Sequence, residues 1–206
     1  MTFLLHFFLG FVSSFLGTLT PSMLNMTAVK ISLDKSRTEA IKFAVGVSII
    51  VLAQAYVAIL FTKYLRENPT FVHSLQKIAS VIFIALSVYF YTQSKKDKLP
   101  KKKVQQRAKN SFVIGVLLSS LNMFSIPFYC GVTTAFDVAG WLQFNQNNIL
   151  IFVVGSAIGT FTLLSIYANF AKKIRYKSKN ISKNLNLILS ILAGILGIFT
   201  IINLLV

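Results

Sequence analysis

Two prolines lie inside long apolar stretches, and small polar residues crowd around both. Pro21 sits between Thr20 and Ser22, with Thr18 just before and Asn25 one turn on. Pro127 follows Asn122 and Ser125, with Ser119 and Ser120 a turn earlier. A proline within a helix removes one backbone hydrogen bond and clashes with the carbonyl four residues back. Pro21 in such a place releases the carbonyl of Gly17, and Pro127 that of Met123. A released carbonyl in apolar surroundings needs water, a polar side chain or a ligand. Gln54 is a lone amide in the apolar stretch 43–62. An amide has four hydrogen-bonding positions to fill, so Gln54 is either glue between helices or a residue on a solute path. Thr20, Pro21, Ser22, Asn25, Gln54, Asn122, Ser125 and Pro127 make the candidate substrate-binding set. Their chemistry is recognition of a small polar solute by hydroxyls, amides and backbone carbonyls. The alternative is that kinks and hydroxyls serve helix packing alone.

Catalysis has little to work with. The chain holds one cysteine, Cys130, two histidines, His6 and His73, and five acidic residues. Asp34, Glu39, Glu67, Asp97 and Asp137 are scattered, so no carboxylate pair, metal cluster or nucleophile–base pair forms by spacing. We expect no enzyme, no metal and no cofactor. Cys130 reads as a small packing residue.

The elements that must position these residues are set by composition. Of 206 residues, 55% are hydrophobic and 13% charged, against roughly 25% charged in a soluble domain. Six apolar runs follow one another, at about 3–29, 43–62, 75–93, 111–136, 148–171 and 184–206. Each can cross a hydrocarbon core of about 30 Å, which takes about 20 residues. Unbroken runs select helices over a β-barrel. The expectation is an all-α integral membrane protein with six transmembrane helices and no separate soluble domain.

Charge orients them. The formal net charge is +16, from 21 Lys and Arg against 5 Asp and Glu. Eighteen of the 21 basic residues fall after the first, third and fifth runs, densest in the Lys-rich linker 94–110. Basic residues in short loops stay in the cytoplasm, which places both termini outside. The Lys clusters also suit anionic lipid headgroups. They lack the interleaved aromatics of a single-strand nucleic-acid surface, so nucleic acid is not an expected partner. Residues 1–20 lack the basic start and Ala-x-Ala of a cleaved signal and read as a retained first helix. No Asp, Glu, Lys or Arg lies in the middle of a run, so the ionisable residue that usually serves proton coupling is missing from this reading. Asp34 and Glu39 fall in the first cytoplasmic loop, where they read as ion-paired surface groups.

Six runs divide into three plus three, about 1–93 and 110–206. An odd number per half inserts the second half upside down, a common transporter plan. Phe43-Ala44-Val45-Gly46 and Phe152-Val153-Val154-Gly155 open the second and fifth runs, and the prolines fall at matching places in the first and fourth. Gly155 and Gly159 form a small-residue face for close helix packing, and Gly194 and Gly197 another. Such faces leave room for a homodimer.

The stretch Leu19-Thr20-Pro21-Ser22-Met23-Leu24-Asn25, then Val29-Lys30-Ile31-Ser32-Leu33 and Ser36-Arg37-Thr38-Glu39-Ala40, resembles the LysE family of amino-acid exporters. Gly46 matches a glycine early in that family's second helix, and Asn122-Met123 resembles its Asn-Pro element. Ser22 stands where relatives often have Gly, Met123 where they have Pro, and Gln54 near a Gly or an acidic residue. The resemblance implies proton-motive-force-driven export of amino acids or related small polar metabolites, across the inner membrane of a bacterium. The alternative from a different class is a non-transporting membrane scaffold or assembly partner, using the same helix faces and basic loops.

Overall fold

A computed structural model describes residues 2–19, 22–68, 70–71, 81, 84–85, 87–89, 91–92, 110–122, 124–173, 191, 194–195 and 198. The chain divides into two units. The first, Met1–Tyr64 with Gln106–Tyr176, contains five helices and most of a sixth. They are α1 Thr2–Leu19, α2 Met23–Asp34, α3 Arg37–Glu67, α4 Ser111–Ser120, α5 Ser125–Val138 and α6 Gln146–Asn169. The last three residues of α3 fall in the second unit, Leu65–Gln105 with Lys177–Val206. Within that unit, the Ser87 hydroxyl lies 3.1 Å from where a Cβ on Gly194 would sit. Most of the third and sixth apolar runs, and the linker 94–110, lie outside the described residues.

Helix ends in the first unit follow local chemistry. The Ser36 hydroxyl accepts the Glu39 N–H at 3.1 Å at the start of α3. The Asn145 side chain accepts the Asn148 N–H at 2.9 Å and caps α6. Asn110 does the same for α4 through Phe112 N–H at 3.1 Å. Such short polar side chains satisfy orphan donors of a first turn. Gly140, at φ +72°, ends α5. The left-handed conformation there suits a residue without a Cβ.

Helix α1 is amphipathic in the inverse sense of a soluble protein, and α3 and α6 likewise turn large apolar side chains outward. On α1, His6, Gly10, Ser13 and Ser14 are buried, whereas Leu5, Phe8, Val12, Leu16 and Leu19 are exposed. On α6, Gly155, Ser156, Gly159 and Thr160 are buried, whereas Leu150, Val154, Ile158 and Ile166 are exposed. Water would penalise a contiguous apolar exterior of this kind; lipid does not. Helices α1, α3 and α6 are each long and apolar enough to cross a membrane, and α4 with α5, bent by 64°, makes a fourth candidate.

Glycine contacts set the crossings. A Cβ on Gly10 would strike the Phe152 carbonyl, and one on Gly155 would strike the Phe7 carbonyl. The same exchange joins α3 and α4: Gly46 faces the Phe112 carbonyl and Gly115 faces the Phe43 carbonyl. Only helices without a Cβ at these points approach so closely. Along α1 and α6 the partners rise together, His6 with Gln143, Ser14 with Thr160 and Leu19 with Tyr167. These two helices run parallel. Along α3 and α4 they also rise together, Glu39 with Ser111 and Gln54 with Ser119. Residues 67 and 111, the end of α3 and the start of α4, therefore lie at opposite ends of this helix pair.

Element bounds differ from the sequence reading in two places. Lys30 lies on α2, and Arg37 and Lys42 lie on α3, so the first basic loop contracts to Lys35 and Ser36. The 31-residue α3 extends past the apolar run 43–62 at both ends, because a helix continues through polar residues once water can solvate them. The fourth run breaks at 121–124, ahead of Pro127. A proline in a first turn forfeits no intrahelical bond, so Pro127, third in α5, starts a helix instead of kinking one.

Candidate functional site

The first break lies between α1 and α2. Thr20 and Pro21 lie outside the described residues. Ser22 is the N-cap of α2, its hydroxyl accepting the Asn25 N–H at 3.4 Å. Asn25 is fully buried, and its Nδ2 donates to the Thr18 carbonyl at 2.6 Å. The next carbonyl of α1, that of Leu19, accepts from the Tyr167 hydroxyl at 2.8 Å. The last carbonyls of a helix have no intrahelical donor, and here two polar side chains supply one. Helix α2 is tied to the same end of α6 by the Ser32 hydroxyl, which donates to the Ala168 carbonyl at 2.7 Å.

The second break follows the same logic with different residues. Gln54 reaches from α3, and its Nε2 donates to the Ser119 carbonyl, at the end of α4, at 2.9 Å. That bond fixes the amide's orientation, since its oxygen cannot face a carbonyl. Its Oε1 is buried without a partner among the described residues. Asn122 Nδ2 donates to the Ser125 hydroxyl at 2.8 Å across the break. No side chain caps the start of α5; Ser125 N–H bonds the Asn122 carbonyl at 3.4 Å and Pro127 has no N–H, which leaves that of Ile126.

The breaks are joined through α1 and α5. A Cβ on Gly17 would overlap the Phe128 ring, so the last turns of α1 lie on the first turn of α5. The Tyr129 hydroxyl donates to Ser14 Oγ at 2.9 Å, and Ser14 in turn bonds Thr160 on α6. This buried hydroxyl chain was not among the residues singled out from the sequence. Its signal was present as Gly10, Ser13, Ser14 and Gly17, a face of small residues at helical spacing. Glu39 is ion-paired with Lys42 at 2.7 Å and also accepts from Ser111, which ties the starts of α3 and α4 together.

His6 corrects the statement that the apolar runs hold no ionisable group. It lies in α1, is buried, and bonds Thr2 and Gln143. Near it, Thr2, Phe3 and Asn145 to Asn148 line an open depression. By the 1.5 Å rise per residue, that depression is about 25 Å along α1 from the first break.

Inverted amphipathicity, apolar helices of spanning length and two interrupted helices with polar linings define a multi-pass membrane protein built like a transporter. The chain belongs to the LysE type translocator family, whose model matches residues 7–204. No curated protein and no solved structure gives a significant match. Members of this family are membrane translocators, so the expected resemblance is met and the class of activity is membrane transport.

Proposed function

We propose that this protein is a secondary exporter of amino acids or related small polar metabolites in a bacterial inner membrane, driven by the proton motive force. The observation that carries the reading is the pair of interrupted helices, each docked by glycine on the long helix of the other half. It supports a 3+3 inverted repeat. The parallel run of α3 and α4 supports six crossings over four. With basic loops inside, both termini are outside.

The solute sits at the breaks. Ser22 and Asn25 form one wall, and Gln54, Asn122, Ser125 and Pro127 the other; Thr20 and Pro21 remain candidates by their place in the sequence. Helix C-terminal ends offer partial negative charge to an ammonium, and the uncapped start of α5 offers partial positive charge to a carboxylate. The unpartnered Gln54 Oε1 adds a neutral acceptor for a donor group. A net-neutral zwitterion satisfies both ends without a charged side chain. Rocking of one half against the other then alternates access.

Comparative metabolomics of medium and cytosol, with and without induced protein, tests the reading and names a substrate class. An exporter raises one class outside and lowers it inside, and it confers resistance to a toxic amino-acid analogue; a scaffold does neither. Asn25→Ala or Asn122→Ala should abolish export at unchanged membrane abundance. Full export in both variants would overturn the site assignment.

A further inference from the structure

Both ring nitrogens of His6 have partners, and together they admit one protonation state. The ring is 1% exposed. Nδ1 lies 2.7 Å from the Thr2 carbonyl, which only accepts, so Nδ1 carries the hydrogen. Nε2 lies 3.1 Å from the backbone N–H of Gln143, which only donates, so Nε2 is a bare acceptor. The neutral ring thus ties the first turns of α1 to the loop 139–145 that joins α5 to α6. A proton on Nε2 would set N–H against N–H at that distance, and the tie must part.

Among the described residues, no acidic side chain bonds the His6 ring. Residues 2–19 contain no charged side chain other than a protonated His6, and residues 138–169 contain none. In α5 the single charge is Asp137, in the last turn. The other titratable groups of these elements are spoken for elsewhere: Tyr129 by Ser14, Tyr167 by Leu19 and Cys130 by Ala58. The open depression beside the tie is lined by Thr2, one of the two His6 partners, with Phe3 and Asn145 to Asn148. Imidazole is the side chain that changes charge across the physiological range.

We propose that His6 is a proton-operated latch, closed when neutral and released on protonation, between α1 and the α5–α6 loop. Its role in transport rests on the exporter reading with an outward amino terminus. In that orientation the latch closes the outer end, and acid outside opens it where the cargo leaves. The inward proton gradient then favours the outward-open state.

The test uses the full chain in nanodiscs and its single tryptophan. Trp141 lies two residues from Gln143 and meets the Phe136 ring at a tilt of 31°, ring centroids 6.0 Å apart, so it reports loop movement without any substrate. Acidification from about pH 8 to about pH 5 should shift Trp141 emission reversibly. His6→Gln and His6→Asn, which cannot charge, should each lose the shift, and His73→Gln should keep it. No shift in the wild type, or the same shift in the His6 variant that folds, would overturn the latch. Efflux of radiolabelled amino acids from proteoliposomes is measured in parallel. An emission shift without efflux refutes the exporter reading and leaves the latch; efflux without a shift does the reverse.

Discussion

Replacing Gly10 by alanine should loosen the α1–α6 crossing in a predictable way. The new Cβ would lie closer than 3.0 Å to the Phe152 carbonyl, with Ser156 N at 3.1 Å. Both neighbours are backbone of a helix and cannot rotate away. Ordinary contact begins at 3.4 Å, so the helices must separate by about 1 Å, a gap that forfeits a quarter to a half of the dispersion energy of each atom pair it opens. Overpacking of this kind costs about 1–3 kcal/mol. Alanine returns about 0.5–1 kcal/mol through helix propensity, so the net loss is roughly 1–2 kcal/mol. For a chain of this length each kcal/mol moves Tm by about 2–4 °C. Gly155→Ala, Gly46→Ala and Gly115→Ala should behave alike, because each meets a backbone carbonyl of its partner helix in the same manner. Gly131→Ala is the control, with nothing within 4 Å of its added Cβ; it should be neutral or slightly stabilising. The assay is thermal unfolding of detergent-purified protein followed by size-exclusion chromatography. If Gly10→Ala and Gly46→Ala melt with Gly131→Ala, the glycine-set crossings are wrong.

Two further outcomes follow from the same contacts. Gln54→Leu removes the side-chain donor of the Ser119 carbonyl, which keeps the Asn122 N–H at 3.0 Å, and Tyr167→Phe removes that of the Leu19 carbonyl; each should cost about 0.5–1.5 kcal/mol. Tm values should add in the double variant, since the pairs serve separate breaks; strong coupling would contradict that separation. In a Cys130→Ala background, an impermeant maleimide added to intact cells should label Trp141→Cys and spare Lys103→Cys. The opposite pattern would reverse the proposed topology.

The candidate breaks were legible because proline, hydroxyls and amides are rare in apolar runs, so their clustering stands out against the background. Ser22 and Asn25 do sit at one break and Asn122 and Ser125 at the other. Gln54 was legible as a buried amide, but its partner, a carbonyl 65 positions away, was not. Pro127 was misplaced for a physical reason. Proline both breaks helices and begins them, and a sequence does not say which until the helix start is known. His6 escaped because its importance lies in two backbone partners, one of them 137 residues distant, and a lone histidine has no spacing to read.

By itself, the sequence determined the class of solvent and the apolar runs. Those properties are sums over residues, and each residue contributes to them wherever its neighbours lie. Tertiary structure alone decided which glycines meet which carbonyls, which side chains quiet the ends of the broken helices, and that α1 and α6, like α3 and α4, run parallel. Those are properties of pairs distant in the chain. They exist only when helices approach closely enough for a missing Cβ or a single hydrogen bond to matter.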